Sequence, residues 1–317
     1  MPEQQPRVSV VLSVFEQAEF LPLVLASLAH QDYDSPWELL ICDDGSTANM
    51  LEPIKEFSCQ TSCEVRYIWQ TDRGFRLARS RNNGVQCAKG SVVIFLDGDV
   101  VVKRDFVRRH ADAHRNGPQL VCGSRSYIFL KAYPQLDVGR LLADERMGEI
   151  DRYSCLPTSP FQRARFRGRT PWYCICGCNF SVSKTAAVSF DEEFVGWGLE
   201  DCELAIRLTT RHGYGLQCLA ENMVYHLEET PPAAFHPCRP RSHEQISLYM
   251  RNLQHLTERY PEQDFNAVRE TALGFEYDAT SETWRSAAGA DVQRTVAPRT
   301  VAPGVACAKS SPVMEAL

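Results

Sequence analysis

Four short runs in the first hundred residues are apolar at almost every position, and segments of helical period separate them. The runs cover residues 8–14, 37–42, 65–69 and 91–96, while residues 20–30 and 77–88 repeat apolar side chains at helical spacing, as does a helix expected after Ser46. A strand that is apolar at every position, and not only at every second one, is covered on both faces. Strands of this kind joined through helices predict an α/β, Rossmann-like fold: a mostly parallel central sheet with helices on both faces. Ligands of such sheets gather at the carboxyl ends of the strands. Those ends are acidic here, with Asp43 and Asp44 after the second run and Asp97 and Asp99 after the fourth.

Past residue 100 the spacing predicts helices over 105–115, 138–150 and 200–212, strands over 120–123 and 177–183, and one or two strands over 216–226. Beyond Pro231-Pro232, residues 241–260 read as a helix packed on the main body. Arg163, Arg165, Arg167 and Arg169 lie among turn formers, either as a solvated basic loop or as a lid over an anionic ligand. From about residue 287 the chain is rich in Ala, Pro and Ser and repeats Thr-Val-Ala-Pro at Thr295 and Thr300, a composition predicted to stay disordered. The expected organisation is a body over 1–230, with a nucleotide-binding half (1–99) and an acceptor-binding half (100–230). A C-terminal helical extension (231–286) and a disordered tail (287–317) follow.

A formal net charge of -6 argues against a general nucleic-acid binder, which needs surplus Lys and Arg to neutralise phosphates. No stretch has the roughly 18 consecutive apolar residues needed to span a bilayer, and residues 1–7 lack the form of a signal peptide. The expected compartment is therefore cytoplasmic, with at most peripheral membrane contact. Thirteen scattered cysteines read as reduced, buried small hydrophobes. Cys174, Cys176 and Cys178 alternate as on one face of a strand, so strand packing is expected there in preference to zinc, which favours CxxC pairs or added histidines.

Three elements carry chemistry. In Val92-Val93-Ile94-Phe95-Leu96-Asp97-Gly98-Asp99 a buried strand runs into two carboxylates, hard oxygen ligands that suit Mg2+ or Mn2+, and Gly98 is expected to allow the sharp turn between them. In Ile41-Cys42-Asp43-Asp44-Gly45-Ser46 one aspartate can accept from a pyrimidine N–H or a ribose hydroxyl, and one can cap the following helix. In Gly196-Trp197-Gly198-Leu199-Glu200-Asp201 two glycines frame an indole suited to stacking on a sugar, and two carboxylates open a helix.

Together with Val-Ser-Val-Val-Leu-Ser-Val near the start and Ala78-Arg79-Ser80-Arg81-Asn82-Asn83-Gly84, these motifs resemble the inverting family 2 glycosyltransferases of GT-A fold. The later motifs are similar to the galactosyltransferase-type half of chondroitin polymerases and β-1,4-galactosyltransferases. The resemblance spans about residues 7–230, and Gly-Trp-Gly-x-Glu-Asp is its most specific part. It implies a metal-dependent, inverting transfer of a hexose or N-acetylhexosamine from a UDP-sugar to a glycan, peptide or small-molecule acceptor. Asp43, Asp44, Arg81, Asp97, Gly98 and Trp197 would then hold the nucleotide sugar, and Asp97, Asp99 and His226 the Mn2+ or Mg2+. Asp201 would act as base with Glu200 supporting it, and Met223, three residues before His226, is expected in the core.

Two other functions use related sequence features. A sugar nucleotidyltransferase would carry a Gly-rich basic loop after its first strand, where this chain has Phe15-Glu16-Gln17-Ala18-Glu19. A non-catalytic sugar-nucleotide or glycan-binding module of the same fold would not need the full acidic set.

Overall fold

The computed structural model describes residues 7–154, 158, 163, 166–229, 243–266 and 268–269, with the backbone of strands at 275–278, 283–286 and 313–316. Strands β1 (Val8–Val14), β2 (Trp37–Asp43), β3 (Glu64–Trp69) and β4 (Val92–Asp97) are parallel and lie in the order β3-β2-β1-β4. Helices α1 (Leu21–Ala29), α2 (Leu51–Gln60) and α3 (Leu77–Cys87) connect them. Because the chain builds outward to β3 and then returns past β1 to β4, the strand order reverses between β1 and β4, the position at which a sheet of this type opens a crevice.

The apolar runs explain themselves in the packing. Val10, Leu12, Leu39, Ile41, Ile94 and Leu96 enter one core, while Val11, Leu40, Cys42, Val93 and Phe95 enter the other, so successive side chains of each strand are buried on opposite faces. Each fully buried Leu, Ile or Phe contributes roughly 1.5–3 kcal/mol, so neither face tolerates a polar substitution cheaply.

The second half runs through β5 (Val100–Val101), α4 (Phe106–Ala113), β6 (Gln119–Phe129), α5 (Val138–Ala143), α6 (Met147–Ile150) and β7 (Asn179–Ser183). It continues with α7 (Glu200–Arg211), β8 (Gly215–Glu228) and α8 (His243–Arg259). β7 pairs antiparallel with both β4 and β6, β8 runs parallel to β6, and β5 closes the edge antiparallel to β8. The sheet is thus mixed, with β1 to β4 parallel to one another and antiparallel pairs made by β7 and β5. Among the described residues no helix is long and apolar enough to cross a membrane.

Several sequence expectations change. The helix expected over 138–150 is two, broken where Glu145 takes a left-handed φ of 56° and pairs with Arg104. The helix expected after Ser46 begins only at Leu51. Residues 174–178 are not a strand: Cys174 ends a 3-10 turn (Pro171–Cys174) and β7 starts at Asn179. Beyond α8, part of the expected helical extension is a hairpin of β9 (Phe275–Asp278) and β10 (Thr283–Ser286). The disordered tail expected from residue 287 lies outside the described residues, apart from β11 (Val313–Ala316), which departs from that expectation by pairing antiparallel with β3.

Candidate active site

Strand register brings the acids together. Val14 is level with Asp43 and Ser13 with Asp97, so the carboxyl ends of β1, β2 and β4 finish at one height. The two loops above them are braced by Glu16, whose carboxylate accepts from the backbone N and Oγ1 of Thr47, both at 2.7 Å, and from the N of Ala48. In front of them lies a cavity of about 340 Å3, whose walls include Asp44, Arg81, Asp97, Asp99, Trp197, Glu200, Asp201 and His226.

Asp44 is buried, and its carboxylate accepts from the side chain of Gln70 and from the backbone N of Arg76 at 2.6 Å; burial raises its pKa. Asp43 departs from the expectation of ligand binding. Its Oδ1 accepts from Gly45 N, Ser46 N and Ser46 Oγ at 2.8–2.9 Å and its Oδ2 from Tyr67 at 2.6 Å, and it does not line the cavity. Saturated in this way, it shapes the turn that presents Asp44. Gly98 also lies off the cavity wall. Its φ is not left-handed; a Cβ there would stand 2.3 Å from Gln17 Oε1 and 2.7 Å from Val14 Cγ1, so glycine is needed for the close approach to β1 and not for an unusual turn.

His226 reaches the acids through tertiary pairing alone. β5 follows Asp99 directly, and Val100 lies opposite His226 on β8, with the N of Leu227 donating to the O of Asp99 at 2.8 Å. The imidazole Nε2 is 3.6 Å from Asp99 Oδ1, and its Nδ1 is 3.4 Å from Glu228 Oε1. Asp99 Oδ1 and His226 Nδ1 are buried without a hydrogen-bond partner, and burial raises the pKa of Asp99. An orphaned carboxylate oxygen beside an imidazole is a donor set that fits a divalent cation, with mixed O and N ligation closer to the habits of Mn2+ than of Mg2+. Asp97 stands partly aside, its Oδ1 accepting from Arg81 Nη2 at 3.1 Å, so the three side chains are not drawn into one closed ligand cluster. Met223, on the same strand, packs against the core.

Arg81 is 1% exposed. Its Nη1 donates to Glu200 Oε1 at 2.8 Å and its Nη2 to Asp97 and to the carbonyl of Gly177 at 2.8 Å, while the guanidinium lies 5.4 Å from the ring centre of Phe190. These partners take up the charge that was expected to meet the nucleotide sugar, and Arg81 ties Asp97 to Glu200. Arg79 is turned away, 3.4 Å from Glu192.

Glu200 and Asp201 form the first turn of α7, where the helix dipole favours negative charge. Asp201 Oδ1 accepts from the N of Cys202 at 2.7 Å. Burial, with Asp201 alongside, pushes Glu200 up to about 7, and burial raises Asp201 as well. The turn before them is strained: Gly198 has φ 94° and Leu199, a residue with a Cβ, φ 78°. A Cβ on Gly198 would stand 2.8 Å from the Tyr249 ring, which in turn lies 5.5 Å from Trp197. Gly198→Ala is therefore expected to lower activity by at least tenfold through displacement of Trp197 and the start of α7. Wild-type kinetics in that variant would show that the turn does not position them.

Sequence reasoning missed several wall residues. Phe15 and Phe75, at 43% and 45% exposure, line the cavity, as do Ser13, Gln17 and Arg125. Exposed aromatics that follow a strand end are a readable signal; Arg125, in mid-strand, gives none. Of Trp172 and Tyr173, only Tyr173 faces the cavity, while Trp172 is buried and donates to Gln263 at 3.0 Å. Of the arginine-rich loop, Arg165 lies outside the described residues and Arg163 pairs with Glu221.

The mixed sheet, reversing its order between β1 and β4, matches solved structures of glycosyltransferases with the GT-A fold. Staphylococcus aureus TarS 1–349 in complex with UDP-GlcNAc shares it with a TM-score of 0.53 at 16% identity, covering 83% of this chain and 69% of that one. The mannosyltransferase PcManGT from Pyrobaculum calidifontis, in complex with GDP-Man and Mn2+, shares it with a TM-score of 0.52 at 15% identity, covering 85% and 70%. The model of glycosyl transferase family 2 matches residues 9–187, and the chain belongs to that family. Among its relatives are validoxylamine A glucosyltransferase of Streptomyces hygroscopicus subsp. jinggangensis, 26% identical over 81% of this chain, and the chondroitin synthase of Escherichia coli, 28% identical over 71%. The chain spans 61% of the length of the first and 35% of the second.

Proposed function

We propose that this chain is a metal-dependent, inverting glycosyltransferase that moves a hexose or N-acetylhexosamine from a UDP-sugar to an acceptor hydroxyl. The observation that carries the reading is one cavity walled by the Asp44 end of β2, the Asp99 and His226 pair, and the Glu200-Asp201 start of α7. Family membership and the UDP-GlcNAc complex of TarS support the donor class, and the likeness to chondroitin synthase supports a glycan among the possible acceptors. In domain terms, 1–99 holds the nucleotide and 100–230 the acceptor.

Asp44 accepts from the uracil N–H or the ribose, with Phe15 and Phe75 offering faces for the base. Asp99 and His226, with the free side of Asp97, would hold the cation, which would supply neutralisation of the charge on the departing diphosphate. Asp201 takes the proton of the acceptor hydroxyl as its oxygen bonds to the anomeric carbon. The bond from that carbon to the β-phosphate oxygen breaks on the opposite face, and the diphosphate leaves with the electron pair. A single displacement of this kind inverts the anomeric centre. Trp197 supplies an apolar face for the sugar.

The test is donor hydrolysis without acceptor. With Mn2+ the protein is expected to release UDP slowly from a UDP-sugar, and excess EDTA or Asp99→Asn should lower that rate by at least a hundredfold. Release that is indifferent to EDTA sinks the metal assignment. No release with any UDP-sugar, alongside a thermal shift on binding, would make the chain a binding module of the same fold.

A further inference from the structure

None of Cys122, Cys174 and Cys218 lines the catalytic cavity, and the sequence keeps them far apart. The fold brings them together. Cys122 on β6 lies directly opposite Cys218 on β8 in parallel register, and Cys174 ends the 3-10 turn above them. The three sulfurs all lie within 4.8 Å of one another, and those of Cys122 and Cys174 are 3.3 Å apart. Cys122 and Cys174 are fully buried and Cys218 is partly exposed.

Zinc binds thiolates at about 2.3 Å, so tetrahedral ligation sets its sulfurs about 3.8 Å apart, within the range these three already occupy. Packing alone is a weak reason for the cluster, because thiols are poor hydrogen-bond partners and a small aliphatic side chain would fill the same space.

We propose that Cys122, Cys174 and Cys218 form a three-thiolate site for a thiophilic divalent cation, Zn2+ by its softness. The ion would staple β6 and β8 to the turn that leads into Ile175, Cys176 and Gly177 on the cavity wall. This site is independent of the transferase reading: it asks for a soft ion on sulfur, where the catalytic cavity offers oxygen and one imidazole.

The test uses the full chain purified under reducing conditions without chelator. Elemental analysis is expected to find one equivalent of zinc per chain. Titration of Co2+ into stripped protein should give the near-ultraviolet thiolate-to-cobalt charge-transfer absorption. Cys218→Ser should lose both while keeping its circular dichroism. The exposed-cysteine variant Cys59→Ser and the cavity variant Asp99→Asn should keep both, which separates this site from the catalytic one. Wild-type protein that takes up neither zinc nor cobalt through sulfur overturns the proposal. So does an intact mass lighter by two hydrogens with Cys122 linked to Cys174, or a Cys218→Ser variant that binds zinc as the wild type does.

Discussion

Asp201→Asn is expected to lower kcat by roughly 100- to 10,000-fold while the donor KM changes little, the range typical of losing a positioned general base. Asparagine has the same shape and can still accept from the N of Cys202, so the first turn of α7 keeps its bond and the fold is retained. The wild-type pH profile follows from the same pair. Burial raises both carboxyls, and the charge of Asp201 adds to it in Glu200, which reaches about 7. The base acts only when deprotonated, so kcat/KM should climb with rising pH along a limb lying above the ordinary carboxylate range, and level off once Glu200, near 7, is ionised too. In Asp201→Asn the repulsion on Glu200 is gone, and any residual rate should have its rising limb moved to lower pH. Steady-state kinetics across pH checks both points. An Asp201→Asn enzyme within about twofold of wild type would remove Asp201 from the mechanism.

Arg81→Met is expected to cost about 3–5 kcal/mol, because it leaves the buried Glu200, and with it the half-buried Asp97 and the Gly177 carbonyl, without their donor. That corresponds to a fall in Tm of roughly 10 °C, read by calorimetry. Lysine is no substitute, since one ammonium cannot span the separate acceptors that a planar fork reaches. Adding Glu200→Gln should return part of the lost Tm by removing one orphaned charge, a coupling that a double-mutant cycle measures. A Tm drop below about 3 °C in Arg81→Met would show that the guanidinium does not hold the two acids together.

Both variants test side chains that were visible in the sequence but whose partners were not. Asp201 is legible because it follows Gly-Trp-Gly at a helix start, and the dipole argument for a carboxylate there needs no tertiary information. Arg81 could be read as a site residue, yet on a helix an arginine reaches outward or inward depending on what packs above it. Only Phe190, Gly177 and Glu200, all about a hundred residues away, decide that it is swallowed. Asp43 shows the reverse case. Two adjacent aspartates after a strand look alike, and the turn geometry gives one to the backbone amides and the other to the cavity.

The central sheet, its burial on both faces and the acids at its rim follow from local pattern, because a strand's periodicity and its terminal residues are properties of a few neighbouring positions. The pairing of Asp99 with His226, the clamp on Arg81 and the meeting of Cys122, Cys174 and Cys218 are set by strand register and by turns across the sheet. Those contacts join segments far apart in the chain, and their geometry is decided by which strands lie side by side, a choice made by the packing of the whole core and carried by no single stretch of residues.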